Sequence, residues 1–207
     1  FEESAVALSG PSFAHEVARR VPTNLVAASK SAERASLVQD VFSRDWLRIY
    51  TNDDPTGVEL GGALKNVIAI AAGALDGFGL GQNTRAALIT RGVAEMSRLA
   101  VAMGGDARTM AGLAGIGDLV LTCTGDLSRN RTLGKKLGAG VPVEEALRTS
   151  SGIAEGYWTA KSVHDLGLRI GVELPICEAV HSVLYEGRSP TEALQRLLSR
   201  PLHAEWE

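Results

Sequence analysis

The stretch Glu59-Leu60-Gly61-Gly62-Ala63-Leu64-Lys65-Asn66-Val67-Ile68-Ala69-Ile70 decides how this chain is read. Leu60, Leu64, Val67, Ala71 and Leu75 recur at helical spacing, which predicts a buried helix. Lys65 is a charge inside that small, apolar pattern. Burying an ammonium is costly, and the usual relief is a pKa moved toward neutrality. An amine in that state gives and takes a proton near neutral pH. The plainer reading is a lysine that snorkels to water or sits in a structural ion pair.

Outward from this helix the texture differs on the two sides. Before Asp54, short strand-like runs alternate with helical ones. Val6-Ala7-Leu8, Leu25-Val26-Ala27-Ala28 and Leu47-Arg48-Ile49-Tyr50 read as strands, and 13–19 and 31–42 as helices. The second of these helices has Ala32, Ala35, Val38 and Phe42 on one stripe. Such alternation implies an α/β sheet, of which these strands look like the last part. After Pro55 strand signals vanish. A second long helix carries Ile89, Val93, Met96, Ala100 and Met103 at alternating steps of four and three. Further helices are predicted at about 130–137, 143–148, 155–166, 176–185 and 191–198. The last has Ser189 as N-cap, Pro190 at the first helical position and Glu192 completing a capping box. The fold class is therefore mainly α: an α/β remnant over residues 1–54, then an all-helical domain over 55–207. The final Pro-Leu-His-Ala-Glu-Trp-Glu receives no assignment.

Composition is ordinary for a globular chain, 45% apolar and 22% charged, and the length fits one large domain or two small ones. A net charge of −3 argues against nucleic acid as the main partner, yet leaves room for a local basic pocket for a small phosphorylated ligand. Cys123 and Cys177 lie far apart, with neither a disulfide framework nor metal spacing. Read as reduced core residues, they favour the cytoplasm. His15, His164, His181 and His203 form no ligand motif, and no metal is expected. No transmembrane helix is expected either: the apolar run after Asn66 stops at Asp76, short of a span of about 20 residues. No signal peptide pattern opens the chain. It begins at Phe1 without an initiator methionine, and its first segments look like the middle of a fold, so a fragment of a longer protein is expected.

Four polar clusters carry chemistry. In Gly115-Ile116-Gly117-Asp118-Leu119, Asp118 stands among small and apolar residues, where a carboxylate is buried only if paired. Lys65 is the attractive partner; a helix N-cap is the alternative. Ser128-Arg129-Asn130-Arg131-Thr132 puts hydroxyl, guanidinium and amide at the mouth of a helix, an anion site by chemistry. A capped helix with a solvated arginine face fits the same residues. Gly10-Pro11-Ser12-Phe13-Ala14 is a turn from strand into helix, with Ser12 a candidate N-cap, placed where α/β sheets bind ligands. Gly152-Ile153-Ala154-Glu155-Gly156 lets a ligand or another chain approach closely. Glu155 there accepts from a ribose or an arginine, or else serves the first turn of a helix.

In this order, Ser9-Gly10-Pro11-Ser12-Phe13-Ala14, Leu64-Lys65-Asn66, Gly115-Ile116-Gly117-Asp118-Leu119, Ser128-Arg129-Asn130 and Glu155-Gly156 resemble the bacterial NAD(P)-dependent glycerol-3-phosphate dehydrogenases, over about Ala7 to Leu198. The resemblance implies an N-terminal Rossmann-type domain, here only its remnant, and a helical domain like the C-terminal domain of 6-phosphogluconate dehydrogenase. It implies interconversion of dihydroxyacetone phosphate and sn-glycerol 3-phosphate with NAD or NADP, feeding phospholipid synthesis, in a cytoplasmic homodimer. It makes Lys65 the catalytic lysine and Asp118 a substrate-binding aspartate beside it. Ser128, Arg129 and Asn130 fall on the site for the substrate phosphate, and Gly10 and Ser12 on substrate contacts. Ala14, Arg129, Ile153 and Glu155 fall on cofactor contacts, with isoleucine at 153 where many members have valine.

One element of the pattern is missing. A Gly-x-Gly-x-x-Gly turn after a first strand is expected of a dinucleotide-binding domain, and Gly77-Phe78-Gly79-Leu80-Gly81 follows a helix instead. The main cofactor cradle would precede Phe1, so this chain alone is expected not to turn over. Two other readings use the same residues: a helical dimerisation or interaction module without activity, and a related NAD(P)-dependent hydroxy acid dehydrogenase.

Overall fold

A computed structural model describes residues 5–150, 152–202 and 204–205; His203 lies outside them. Three strands come first, β1 (Ala7–Ser9), β2 (Thr23–Ala28) and β3 (Leu47–Asn52), separated by α1 (Ala14–Ala18) and α2 (Ala32–Phe42). The sheet order is β1-β2-β3. β2 and β3 run parallel from Thr23↔Leu47 to Ala28↔Asn52, and β1 runs antiparallel to β2 with Ser9 opposite Val26.

The two faces of β2 bury different things, as strand alternation requires. Leu25 and Ala27 pack with Leu47 and Ile49, beneath Val38 of α2. Val26 and Ala28 point the other way and form a cluster with Val58 and Ala114 of the helical part. The sheet is thus fastened to the helices by its own side chains. The predicted α2 stripe is half right. Ala35 is buried and Val38 packs, but Phe42 is 49% exposed, as are Leu37 (60%) and Val41 (51%) on the outer face. The sheet meets only the middle of the helix.

Helix α3 (Pro55–Gly77) is the axis of the molecule; of its 23 residues only Glu59 is exposed. Around it stand α4 (Gln82–Ala102), α5 (Ala107–Met110), a π-turn at Leu113–Gly117, α6 (Asp118–Thr124), α7 (Arg129–Gly138), α8 (Val143–Arg148), α9 (Gly156–Ile170), α10 (Pro175–Tyr185) and α11 (Pro190–Leu198). Leu64, Val67 and Ile68 join Met96, Leu99, Leu119, Leu133 and Cys177 in one core. Both cysteines are free and buried. By length and composition α3 is long and apolar enough to cross a bilayer, because it starts at Pro55 rather than at Asn66, but 61% of its apolar window is buried inside the fold. Asp76, near the end of α3, pairs with Arg85 of α4 and Arg131 of α7.

Two helix starts show why these residues nucleate here. Asp54 caps α3, its carboxylate accepting from Gly57 N at 2.9 Å, and from Asp106 N at 2.8 Å and Thr109 Oγ1 at 2.7 Å. The predicted capping box of α11 is present: Ser189 Oγ accepts from Glu192 N at 3.2 Å, and Glu192 Oε2 accepts from Ser189 N at 3.0 Å. The helices between 107 and 124 carry no helical signature in the sequence, because elements of four and seven residues are too short to show a period.

Candidate active site

Lys65 and Asp118 meet. The amine donates to Asp118 Oδ2, with the lysine side chain 21% exposed and the aspartate 4%. Backbone geometry produces this meeting. Gly61 lies one turn before Lys65, and a Cβ there would stand 2.4 Å from Ala114 O, so only glycine lets the π-turn come so close to α3. Gly115 (φ −95°, ψ −106°) then breaks the helical path inside the π-turn, and a Cβ on it would strike Met110. Such single-turn π segments recur at functional sites. Asp118 follows as the first residue of α6. Gly117 holds the N-cap position, so the alternative reading of Asp118 as a cap is set aside. Burial pushes the Asp118 carboxyl up from its ordinary value, against the Lys65 charge and the hydrogen bonds from Lys65 and Thr122. Thr122 was not singled out in the sequence. It sits four residues on, where its hydroxyl reaches Asp118 O at 2.6 Å and Oδ1 at 3.4 Å.

The β1–α1 turn lies against the same region. A Cβ on Gly62 would lie 3.3 Å from Ser9 Oγ, and one on Gly117 3.6 Å from Pro11. Gly10 has φ +135° and passes over Asn24 and Leu25. Ser12 is not an N-cap: its hydroxyl donates to Gly10 O at 3.0 Å, and the N-cap of α1 is Phe13, with no side-chain cap bond. The hydroxyl instead closes the turn, because Gly10 offers a carbonyl two residues back.

At the mouth of α7, Ser128 is the N-cap and accepts from Arg131 N at 3.2 Å. The two arginines part company. Arg131 is spent on Asp76 at 2.7 Å and Asp126 at 2.8 Å. Arg129 is exposed, passes over Gly152 (φ +94°) and makes no hydrogen bond or ion pair with the described residues. It is the cation of this cluster free for an anion. Asn130 is 7% exposed; its Oδ1 accepts from Gly156 N at 2.8 Å and its Nδ2 donates to Asn66 Oδ1 at 2.9 Å. Asn66, quoted above only as a neighbour of Lys65, therefore couples α3 to α7 and α9. One Nδ2 hydrogen of Asn130 remains for a ligand.

Ala14, Ile153 (66% exposed) and Glu155 are all on the surface. Glu155 makes no side-chain cap bond, although it occupies the N-cap position of α9. No hydrogen bond joins these three to Lys65 or Asp118. The open carboxylate of Glu155 and the apolar Ile153 on one segment, with the open guanidinium of Arg129 passing over its Gly152, fit part of a dinucleotide's ribose, phosphate and ring chemistry. The glycine-rich cradle for the rest is not in this sequence. A cavity of about 1220 Å³ lies elsewhere, between α3, α4, α10 and α11, and has none of these residues in its lining.

Comparison with known proteins accounts for this arrangement, first as a fold. Solved glycerol-3-phosphate dehydrogenases superpose on it. The one from Coxiella burnetii is 45% identical with a TM-score of 0.91, covering 94% of this chain and 60% of that one. The one from Saccharomyces cerevisiae is 26% identical with a TM-score of 0.83, covering 94% and 59%. The chain belongs to the NAD-dependent glycerol-3-phosphate dehydrogenase family: the C-terminal family model matches residues 54–195 and the N-terminal model residues 2–35. Among curated relatives, glycerol-3-phosphate dehydrogenase (NAD(P)+) of Geobacter metallireducens is 59% identical over 198 residues, that is 96% of this chain. The chain spans about 59% of the length of that relative.

Proposed function

We propose that this chain is the substrate-binding and proton-transfer part of an oxidoreductase that interconverts dihydroxyacetone phosphate and sn-glycerol 3-phosphate with NAD or NADP, supplying glycerophospholipid synthesis. The observation that carries the reading is the Lys65–Asp118 pair in the wall of a fold shared with proteins of that name. We place the domain boundary at 54/55, where the sheet ends and α3 begins. Residues 1–54 belong to the cofactor domain and 55–207 to the substrate domain.

The nicotinamide cofactor, when bound, supplies the hydride to the ketone carbon. The protein's own residues handle the charge that then builds on the oxygen. Lys65 stabilises that oxygen and delivers its proton; in the reverse direction the neutral amine takes the hydroxyl proton. Asp118 aims the amine, and Thr122 steadies Asp118. Arg129, with Ser128 and Asn130, grips the phosphate, which is remote from the reacting carbon and so contributes positioning energy. Gly10 and Ser12 close the substrate side. Ala14, Ile153, Glu155 and the outer edge of Arg129 contact the cofactor.

The discriminating experiment against a non-enzymatic module, or a dehydrogenase for an unphosphorylated hydroxy acid, is phosphate dependence. In the full-length protein, Arg129→Ala should raise KM for dihydroxyacetone phosphate at least about tenfold, the loss of one charge-assisted hydrogen bond. An unchanged KM removes Arg129 from the phosphate site. The 207-residue chain alone should show no substrate-dependent NADH oxidation. A cytoplasmic homodimer is proposed from family resemblance and reduced cysteines; sedimentation of the intact protein tests the dimer.

A further inference from the structure

Packed interiors leave few spaces larger than a water molecule, yet a cavity of about 1220 Å³ opens between α3, α4, α10 and α11. That exceeds the roughly 300–1,000 Å³ of ordinary small-molecule sites. Its walls are apolar almost throughout. Leu75 and Phe78 come from α3, Leu88 from α4, Val180 from α10, and Leu194 and Leu197 from α11. The two α11 leucines are only half-buried, so their apolar surface meets the space instead of packing. Apolar walls left to water cost free energy, and an apolar occupant relieves that cost.

Five charged residues reach the lining: Arg91, Glu95, Arg98, Glu173 and Arg200. Glu95 is spent, since its oxygens accept from Ile176 N at 2.6 Å and Cys177 N at 3.3 Å. Arg98 donates from Nε and Nη2 to Glu173 O at 3.3 and 3.2 Å, and the rest of its five N–H groups have no partner among the described residues. Arg200 pairs with the Glu173 carboxylate at 2.8 Å and is 43% exposed. Arg98, Glu173 and Arg200 thus gather at one solvent-facing end, two guanidiniums against one carboxylate. Arg91, two turns earlier on α4, donates to Glu205 O at 3.2 Å and has no carboxylate partner among the described residues.

The other end lies at the α3–α4 corner, where Arg85 reaches back to Asp76 and neither enters the lining. Leu75, Phe78 and Leu88 form the walls there. Leu88 and Arg98 stand about 15 Å apart along α4 at the rise of a helix. The cavity is therefore long, apolar at one end and cationic at the other.

We propose that this cavity binds one long-chain fatty carboxylate, its alkyl chain toward Leu75, Phe78 and Leu88 and its head between Arg98 and Arg200. A guanidinium grips a carboxylate through paired N–H groups, and a single excess positive charge suits a monoanion better than a phosphate dianion. The ligand bridges α11 to α3 and α4. The α3 stretch that it touches begins at Ile70, little more than one turn past Lys65, so occupancy braces the helix that carries the candidate catalytic amine. The site shares no residue with the one described above and stands whether or not the dehydrogenase reading does.

The test is calorimetric titration of the full-length protein with laurate below its micelle-forming concentration, beside octanoate, dodecanol and dodecylammonium. One laurate per chain should bind and raise the melting temperature. Each methylene gained between octanoate and laurate should tighten binding about fourfold. Dodecylammonium, the same chain with the opposite charge, should bind at least about tenfold more weakly than laurate. Arg98→Met keeps the aliphatic stem and should weaken laurate at least about tenfold, the loss of a charge-assisted contact, while leaving dodecanol unchanged. Arg200→Gln, at the surface, puts the same question to the head site if Arg98→Met misfolds. Lys161→Gln, exposed on α9 and outside the lining, should change nothing. No saturable laurate binding means that a second copy of the chain, or its own C-terminal segment, fills the space, and overturns the proposal. Ammonium binding as tight as laurate overturns it too, as does laurate binding that both arginine variants leave intact.

Discussion

Two buried carboxylates, Glu95 and Asp54, show how much of this molecule rests on single partnered groups. Glu95 is 3% exposed on α4, yet it accepts from Ile176 N at 2.6 Å and Cys177 N at 3.3 Å, capping α10 from outside. Burial pushes its carboxyl up to about 7 from 4.5, against those two amides. The sign of the consequence follows from proton counting. Between about 4.5 and about 7 the folded state keeps a proton that the unfolded state has released, so this group's contribution weakens as pH rises through that window. Urea midpoints should show a component that falls over this range in the wild type and is absent in Glu95→Gln. Matching pH profiles for the two proteins would contradict the assignment.

Asp54 behaves in the opposite sense. Burial disfavours its charge, but hydrogen bonds from the Asp106 and Gly57 amides and the Thr109 hydroxyl outweigh it and hold the carboxyl below its ordinary 3.8. Its contribution is full above 3.8 and is lost as pH falls through the lower folded value. Asp54→Ala removes a cap and two cross-links, and should cost about 1–3 kcal/mol at neutral pH, with a smaller difference from wild type in acid. Chemical denaturation at both pH values checks this. Lys65 and Asp118 were legible at this scale because each stands alone in an apolar setting. Glu95 was not: in sequence it is one more charge on a long amphipathic helix, and only the fold puts another helix's first turn upon it.

At the scale of elements, helices α3 and α7 meet backbone on backbone at their glycines. A Cβ on Gly134 would stand 1.9 Å from Ile70 O, one on Gly73 2.0 Å from Arg131 O, and one on Gly138 2.2 Å from Ala74 O. Helices α3 and α7 therefore touch without intervening side chains, which sets the mouth of α7, with Ser128 and Arg129, relative to Lys65. Gly134→Ala forces the helices apart and should cost at least about 1–3 kcal/mol. It should also weaken phosphate-ligand binding in the full-length protein. A stable variant with unaltered binding would show that the α3–α7 spacing does not position the anion site. Both segments carry glycines four residues apart, Gly73 and Gly77 in one and Gly134 and Gly138 in the other, but neither segment says which helices meet. Long periodic helices were readable; α5, the π-turn and α6 were too short to announce themselves, although they present Asp118.

For the whole molecule, the order of elements was legible and their mutual placement was not. The change from alternating strands to helices near Asp54 marks a real change of architecture, because strand and helix periods differ. The fastening of sheet to helices through Val26, Ala28, Val58 and Ala114 joins residues far apart in sequence, and no local pattern encodes it. The same holds for the Asn66–Asn130–Gly156 chain, which spans three helices. What the five motifs carry together, through family resemblance, is their order along one chain. The central claim is that Lys65 serves the proton transfer. It is tested most directly by dihydroxyacetone phosphate-dependent NAD(P)H oxidation in the full-length protein, wild type beside Lys65→Ala, with thermal melts and cofactor binding measured on both. The account predicts a folded variant that binds cofactor and has lost turnover. A folded variant that turns over at the wild-type rate would contradict it.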